Sequence, residues 1–164
     1  MSTFTLWIDG DAAPRAVKEI AFRAAERRGF ALVLVANAEQ ALPRSRWIRQ
    51  QRVGKGLDAA DERIAALASP GDLCVTADVP LAAELVRRGV TVLDPRGAVL
   101  DEGNVRERLA LRDFMDGMRE SGLAGGGPPP FGPADRARFA NALDRLLTAR
   151  LAVRPAVRLG SAGG

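Results

Sequence analysis

Residues 6–14 read Leu-Trp-Ile-Asp-Gly-Asp-Ala-Ala-Pro, and this stretch predicts a buried strand that passes directly into a helix. Its aromatic and β-branched start is typical of a strand inside a sheet, and the apolar character ends at Asp9. Pro14 suits a first helical turn because it has no N–H to leave unpaired. Asp9 and Asp11 therefore lie where ligands bind in open parallel sheets, although a turn role for Asp9 and helix capping by Asp11 are the alternative.

The same alternation of strand and helix continues along the chain. Further apolar strands are predicted at Ala31–Ala36, Asp72–Thr76 and Val90–Leu93, each separated from the next by a segment with helical spacing. This alternation predicts an α/β fold of three layers, αβα, with a mostly parallel central sheet. A later helix, Val105–Met118, is amphipathic, and we expect its Leu109, Phe114 and Met118 to face inward.

Length and composition predict a single domain over residues 1–150. The chain has 164 residues, of which 47% are hydrophobic, enough to form a core. The Gly- and Pro-rich segment 121–133 is predicted to be a linker before a last helix, Asp135–Ala149, and 151–164 a disordered tail. No segment has the pattern of a membrane span or a signal peptide, so a cytoplasmic protein without a membrane partner is expected.

Histidine is absent, which excludes Ser-His-Asp and Cys-His catalysis and His-ligated zinc. The one cysteine, Cys74, lies in an apolar run and is predicted to be a buried strand residue. Acid–base or metal chemistry must therefore depend on carboxylates, Lys or Ser/Thr. The formal net charge is only +4, so nucleic-acid binding depends on how the basic residues are distributed.

Aspartates follow three of the predicted strands, and a further pair lies at the start of a helix. If the strands are parallel and adjacent, they converge on one edge of the sheet: Asp9, Asp11, Asp58, Asp61, Asp78 and Asp94. Carboxylates packed together repel one another, so such a cluster requires a cation. Oxygen ligands of this kind suit Mg²⁺ or Mn²⁺, which can activate water for phosphodiester hydrolysis. The alternative is that these residues are helix caps and solvated loop ends.

All the charged residues in the segment 44–55 are basic, and no acidic residue occurs from Gln40 to Leu57. Phosphate-backbone contacts come chiefly from such side chains, which here are Arg44, Arg46, Arg49 and Arg52. Trp47 could stack on a base or belong to the core. Arg96 and Arg112 are candidate phosphate clamps or members of structural ion pairs with Asp113 or Glu107. The whole run could also be a solvated surface.

Five blocks of sequence, in this order, resemble the bacterial YaiI/YqxD family. They are Asp9–Pro14, Gly56–Asp61, Thr76–Ala82, Asp94–Gly97 and Arg106–Met115, within a resemblance from about Thr5 to Leu147. That family is of uncharacterised function, and its fold resembles the PIN domains, which are metal-dependent ribonucleases. The resemblance implies that Asp9 is the acid after the first strand, Asp58 or Asp61 the helix acid, and Asp78 the acid after a later strand.

One position departs from the family pattern, since Ala13 stands where a cysteine usually precedes the proline. The hypothesis from the sequence is a Mg²⁺- or Mn²⁺-dependent nuclease acting on RNA, with Asp9 and Asp78 catalytic. A non-catalytic RNA-binding or regulatory module of the same fold is one alternative. A second is a haloacid-dehalogenase-like phosphatase, which residues 7–11 resemble, with Asp9 as nucleophile and Asp11 as acid/base. The oligomeric state does not follow from the sequence.

Overall fold

The structure is a computed structural model that describes residues 3–56, 58–122 and 129–152 of the chain. Strands and helices alternate through most of the described residues. In chain order they are β1 (Thr5–Asp9), α1 (Arg15–Arg28), β2 (Ala31–Ala36), β3 (Ile48–Arg52), α2 (Ala59–Leu67), β4 (Leu73–Val75), α3 (Val79–Arg87), β5 (Thr91–Leu93), β6 (Val99–Leu100), α4 (Val105–Glu120) and α5 (Pro133–Ala152).

The strands form one sheet in the order β3-β2-β1-β4-β5-β6. β1 pairs in parallel with β2 and with β4, so Trp7 lies beside Val33 on one side and beside Cys74 on the other. The short β6 runs antiparallel to β5. This mostly parallel sheet, with helices on both faces, confirms the three-layer α/β fold predicted from the alternating apolar segments.

Each face of the sheet is covered by its own hydrophobic core. Leu6 and Ile8 of β1 pack against α1 and α5, whereas Trp7 between them packs against α2 and α3. Strands covered on both faces need apolar residues at every position, which explains the continuous apolar runs in the sequence. Cys74 in β4 is fully buried, as predicted, and burial raises the pKa of its thiol well above the usual value.

The basic segment after β2 contains a strand that the sequence pattern did not indicate. β3 pairs in parallel with β2, from Ile48 beside Leu32 to Arg52 beside Ala36, and forms one edge of the sheet. Ile48 is the one residue of this strand that is buried, so no apolar periodicity marks it. Charged residues on an edge strand oppose pairing with a second sheet.

Helix α4 packs differently from the prediction. Phe114, expected to face inward, is 62% exposed and Leu111 is 55% exposed, so the expectation for Phe114 is wrong. The helix packs on α3 near Val105, its one buried residue. Beyond that contact an apolar stripe stays exposed within the described part of the chain, formed by Leu111, Phe114 and Met115.

The boundaries at the end of the chain differ slightly from those predicted. α5 begins at Pro133 and ends at Ala152, so its last two residues lie in the stretch assigned to the tail. Residues 123–128 of the predicted linker and 153–164 of the predicted tail lie outside the described residues. None of the helices in the described parts of the chain has the length and apolar character that crossing a membrane requires.

Candidate functional site

The candidate site lies at the carboxyl edge of the sheet, between β1 and β4. The strand order changes direction at this point, because β2 and β3 follow on one side of β1 whereas β4 and β5 follow on the other. β1 leads into α1 on one face of the sheet, and its neighbour β4 leads into α3 on the other face. Asp9 ends β1 and Asp78 immediately precedes α3, while Asp61 approaches from α2. Switch points of this kind are where open α/β sheets bind ligands.

The turn from Asp9 to Asp11 is packed tightly against β2. The Gly10 amide donates to the Val35 carbonyl at 2.8 Å, which continues the pairing of the two strands. A Cβ at Gly10 would lie 2.7 Å from the Leu34 side chain, so glycine permits the close approach. Asp11 is exposed, and its Oδ2 accepts a hydrogen bond from the Asn37 amide at 2.8 Å.

Capping, the alternative role considered for the aspartates, is observed for Asp78. Its Oδ1 accepts a hydrogen bond from the Leu81 amide at 2.8 Å and caps α3. Thr76 joins this cap to the first strand, because its hydroxyl accepts from the Asp78 amide at 3.1 Å and donates to Asp9 Oδ2 at 3.4 Å. Asp11 does not cap α1, whose N-cap position is Pro14.

Burial and neighbouring carboxyl groups raise the pKa values of Asp9 and Asp61 at this edge. Burial raises the pKa of Asp9, and the charges of Asp11 and Asp78 raise it further. The pKa of Asp61 is raised to about 7, first by burial, then by a hydrogen bond with Asp78 and by the charges of Asp78, Asp9 and Asp58. Crowded carboxyl groups retain protons because each ionisation opposes the next. A positive charge in the cleft would relieve this repulsion.

A cleft of about 760 Å³ brings together five of the six aspartates predicted as metal ligands: Asp9, Asp11, Asp58, Asp61 and Asp78. Asp61 is half-buried and Asp58 exposed, so Asp61 is the helix acid that interacts more closely with the others. Asn37 and Lys55 also line the cleft. Asn37 was not predicted, although a polar residue directly after the buried β2 is the signal that could have identified it.

The donors of this cleft fit a divalent cation. They are carboxylate and amide oxygens, which suit Mg²⁺ and Mn²⁺. In the residues that the structure describes, no three acidic or cysteine side chains are arranged as a ready set of ligands for one ion. Mg²⁺ does not require such a set, since it is commonly held by one or two carboxylates and keeps several water molecules.

Asp94 is not among the residues that line the cleft, although β5 carries it to the same edge of the sheet. Its Oδ1 accepts from the Arg96 amide at 2.6 Å, and its Oδ2 lies 3.7 Å from the Arg108 guanidinium. Arg96 forms an ion pair with Asp135 at 3.0 Å. The structural ion pair considered for Arg96 is therefore formed with α5 and not with α4.

The four arginines predicted to bind a phosphate backbone lie exposed on β3 or directly before it: Arg44, Arg46, Arg49 and Arg52. None of these four forms an ion pair with another residue that the structure describes. Arg52 Nε donates to the Asn37 carbonyl at 3.2 Å, and Asn37 and Lys55 line the carboxylate cleft. β3 is thus a basic edge that adjoins the acidic cleft.

Trp47 is packed against the interior of the protein. A Cβ at Gly29 would lie 3.2 Å from the Trp47 ring, and the side chain contacts the core beneath α1. The guanidinium of Arg46 lies over the ring, 4.7 Å from its centroid, at a distance typical of a cation–π contact. These contacts favour the core interpretation of Trp47 over base stacking.

Arg112 lies at a second opening, of about 600 Å³, which shares three residues with the first: Asp58, Asp61 and Asp78. Arg112 forms ion pairs with Asp113 at 3.2 Å and with Asp116 at 3.5 Å. Arg87 lines the same opening and was not predicted. Arg87 lies in the last turn of α3, where cations are common in any helix, so no sequence pattern singles it out.

Comparison with known proteins identifies a similar family and many relatives. Residues 7–149 match the family described as "Uncharacterized BCR, YaiI/YqxD family". A "UPF0178 protein" from Myxococcus xanthus is 51% identical over 150 residues, which cover 92% of this chain and 98% of the relative. The protein of the same name from Alkalilimnicola ehrlichii is 49% identical over 145 residues, covering 88% and 98%. That from Cronobacter sakazakii is 48% identical over 145 residues, covering 88% and 96%.

Proposed function

This chain belongs to the YaiI/YqxD family, whose function is uncharacterised, and we propose that it is a divalent-metal-dependent nuclease acting on RNA. One observation carries the proposal. Asp9, Asp61 and Asp78, from three different elements, meet at the switch point of a parallel sheet, where the pKa values of Asp9 and Asp61 are raised. Mutual repulsion of carboxylates costs free energy, and a bound cation offsets that cost.

In this proposal the ion is held by Asp61 and Asp78, with Asp9 and water completing its surroundings. A divalent ion at such a site lowers the pKa of water and stabilises charge on a phosphate. Two of the carboxylates are held before any ligand binds, because Asp78 caps α3 and Asp9 accepts the Thr76 hydroxyl. Fixed ligands of this kind need little reorganisation when charge develops on the reacting phosphate.

The basic edge supports RNA as the substrate class. Arg44, Arg46, Arg49 and Arg52 are exposed along one edge of the sheet, where their guanidinium groups suit bidentate contacts with phosphate. Lys55 continues this row into the carboxylate cleft. A phosphate backbone that follows β3 is thereby led towards the site where a bound cation would act.

Calorimetric titration of Mn²⁺ at pH 8, where Asp61 is ionised, tests the site first. We expect wild-type protein to bind Mn²⁺, the pair Asp9→Asn/Asp78→Asn to lose binding, and Asp113→Asn, on the outer face of α4, to bind as wild type does. Asp9→Asn alone should then lose cleavage of single-stranded RNA by about 100-fold or more while keeping cooperative unfolding. Unchanged cleavage by Asp9→Asn would contradict the assignment.

A second candidate function is a non-catalytic RNA-binding module. Two observations favour it: no ready set of three ligands exists among the described residues, and the arginines of the basic edge are free of ion pairs with them. The same preparation separates the two functions. RNA binding that weakens with Arg49→Ala and Arg52→Ala, without cleavage in Mg²⁺ or Mn²⁺, would support the binding module.

A further inference from the structure

The carbonyl of Gly10, between two aspartates of the site, accepts hydrogen bonds from two side chains. Lys18 Nζ of α1 donates to it at 3.3 Å, and Gln40 Nε2, from the segment after β2, donates at 3.0 Å. Lys18 Nζ also donates to Gln40 Oε1 at 2.8 Å, so the two side chains hold each other in place. Both are half-buried, and neither lines the carboxylate cleft. Lys18 and Gln40 therefore contact the turn from outside the cleft.

The same contacts extend to the basic edge. The Gln40 amide donates to Gln50 Oε1 of β3 at 3.0 Å, and Gln50 Nε2 donates back to the Ala38 carbonyl at 2.8 Å. The segment after β2 is therefore bonded on one side to the acidic turn and on the other to the strand that carries Arg49 and Arg52. A single network joins the two surfaces that the proposed function requires.

The network fixes the most flexible residue of the turn. Glycine has more backbone freedom than any other residue, and that freedom would allow the neighbouring carboxylates to rotate away from the cleft. The Gly10 amide is held by the Val35 carbonyl, and the Gly10 carbonyl is held by Lys18 and Gln40. Because both polar groups of Gly10 are occupied, the peptides that precede and follow it have defined orientations.

We propose that Lys18 and Gln40 are positioning residues of the carboxylate site, which fix the Gly10 peptide so that the adjoining Asp9 stays directed at a cation held by Asp61 and Asp78. This inference rests on the proposed function in so far as it assigns a ligand to the site. Residues that orient metal-binding side chains commonly change metal affinity by 10–100-fold when they are removed.

The test compares Lys18→Met and Gln40→Ala with Lys18→Arg, which restores a donor, and with Arg15→Met. Arg15 is the matched control, since it is a cation of α1 that lines the same outer depression as Lys18 but donates no hydrogen bond to the described residues of the turn. Two quantities are measured: amide hydrogen exchange at Gly10 and Asn37 in metal-free protein, and Mn²⁺ affinity by calorimetry at pH 8.

We expect Lys18→Met and Gln40→Ala to speed exchange at Gly10 about tenfold and to weaken Mn²⁺ binding by about 10–100-fold. Lys18→Arg should restore both within about threefold, and Arg15→Met should change neither. If wild type binds Mn²⁺ and both variants bind it equally well, or exchange at Gly10 is unchanged, the positioning role is overturned while the proposed function stands. Absence of Mn²⁺ binding by wild type overturns the proposed function itself.

Discussion

Asp72 and Asp78 lie at opposite ends of β4, and they differ in what surrounds their carboxylates. Asp72, at the amino end, accepts hydrogen bonds from the Thr5 amide, the Trp7 indole and the Ser69 amide, each at 2.9 Å. Asp78, at the carboxyl end, faces further carboxyl groups, one of which has its pKa raised to about 7. The amino end of the strand is therefore saturated with donors, whereas the carboxyl end has an excess of acceptors.

Asp135 at the start of α5 belongs with Asp72. The Gly132 amide, followed by the guanidinium groups of Arg138 and Arg96, holds the pKa of Asp135 below its usual value. Burial alone therefore does not separate a structural aspartate from a candidate ligand. The separation depends on whether donors or other carboxylates occupy the space around it.

The largest expected effect follows from removing the carboxylate of Asp72, which accepts three hydrogen bonds. Asp72→Ala leaves three donors without their acceptor, one of them the indole of Trp7, which is 5% exposed. We expect the free energy of unfolding to fall by about 3–5 kcal/mol, measured by urea denaturation. Mn²⁺ affinity of the folded fraction should not change. A decrease in the free energy of unfolding of less than about 1 kcal/mol would contradict the distinction between the two ends of β4.

A smaller effect of opposite sign is expected for Asp61 of α2, which interacts with Asp78 at the carboxyl end of β4. The pKa of Asp61 is raised in the folded state, so its protonated form favours folding and stability falls as pH rises from about 4 to about 7. Asp61→Asn should stabilise the protein by about 1 kcal/mol at pH 8, because solvent screens a half-buried carboxylate, and by almost nothing at pH 4. Thermal unfolding across this pH range measures the effect, and a destabilised variant at pH 8 would contradict it.

The smallest effect is expected at the rim of the cleft. Asp58 is exposed, so Asp58→Asn should change the free energy of unfolding by less than about 0.5 kcal/mol at either pH. Asp58→Asn removes the same charge as Asp61→Asn. The difference between the two variants therefore measures the contribution of crowding among the carboxyl groups. Equal pH dependence in the two variants would show that net charge, and not local repulsion, controls stability here.

The sequence predicted those parts of the fold in which local pattern and final environment agree. β1, β2 and β4 are covered on both faces, so their continuous apolar runs identified them. Adjacent parallel strands then implied that Asp9 and Asp78 would meet. The pairing of Asp61 with Asp78 depends on how α2 docks, and the sequence therefore left Asp58 and Asp61 as alternatives.

The rest depended on long-range contacts that no local pattern contains. β3 has one buried residue, and it is a strand because β2 offers a free edge beside it. The apolar spacing of Phe114 predicted an inward face, but Phe114 is exposed, because the buried contact of α4 with α3 is made at Val105, near the start of the helix. Arg96 pairs with Asp135, 39 positions away, and that separation exceeds the reach of any spacing rule.

The single thiol of this protein, Cys74, is an intrinsic probe of global opening. The side chain is fully buried in β4, a central strand of the sheet, and its raised pKa further suppresses the reactive thiolate at neutral pH. A thiol reagent can reach it only when the sheet separates. In the regime where reclosing outpaces labelling, the modification rate reports the population of the open state, and it does so without any ligand, substrate or assay of function.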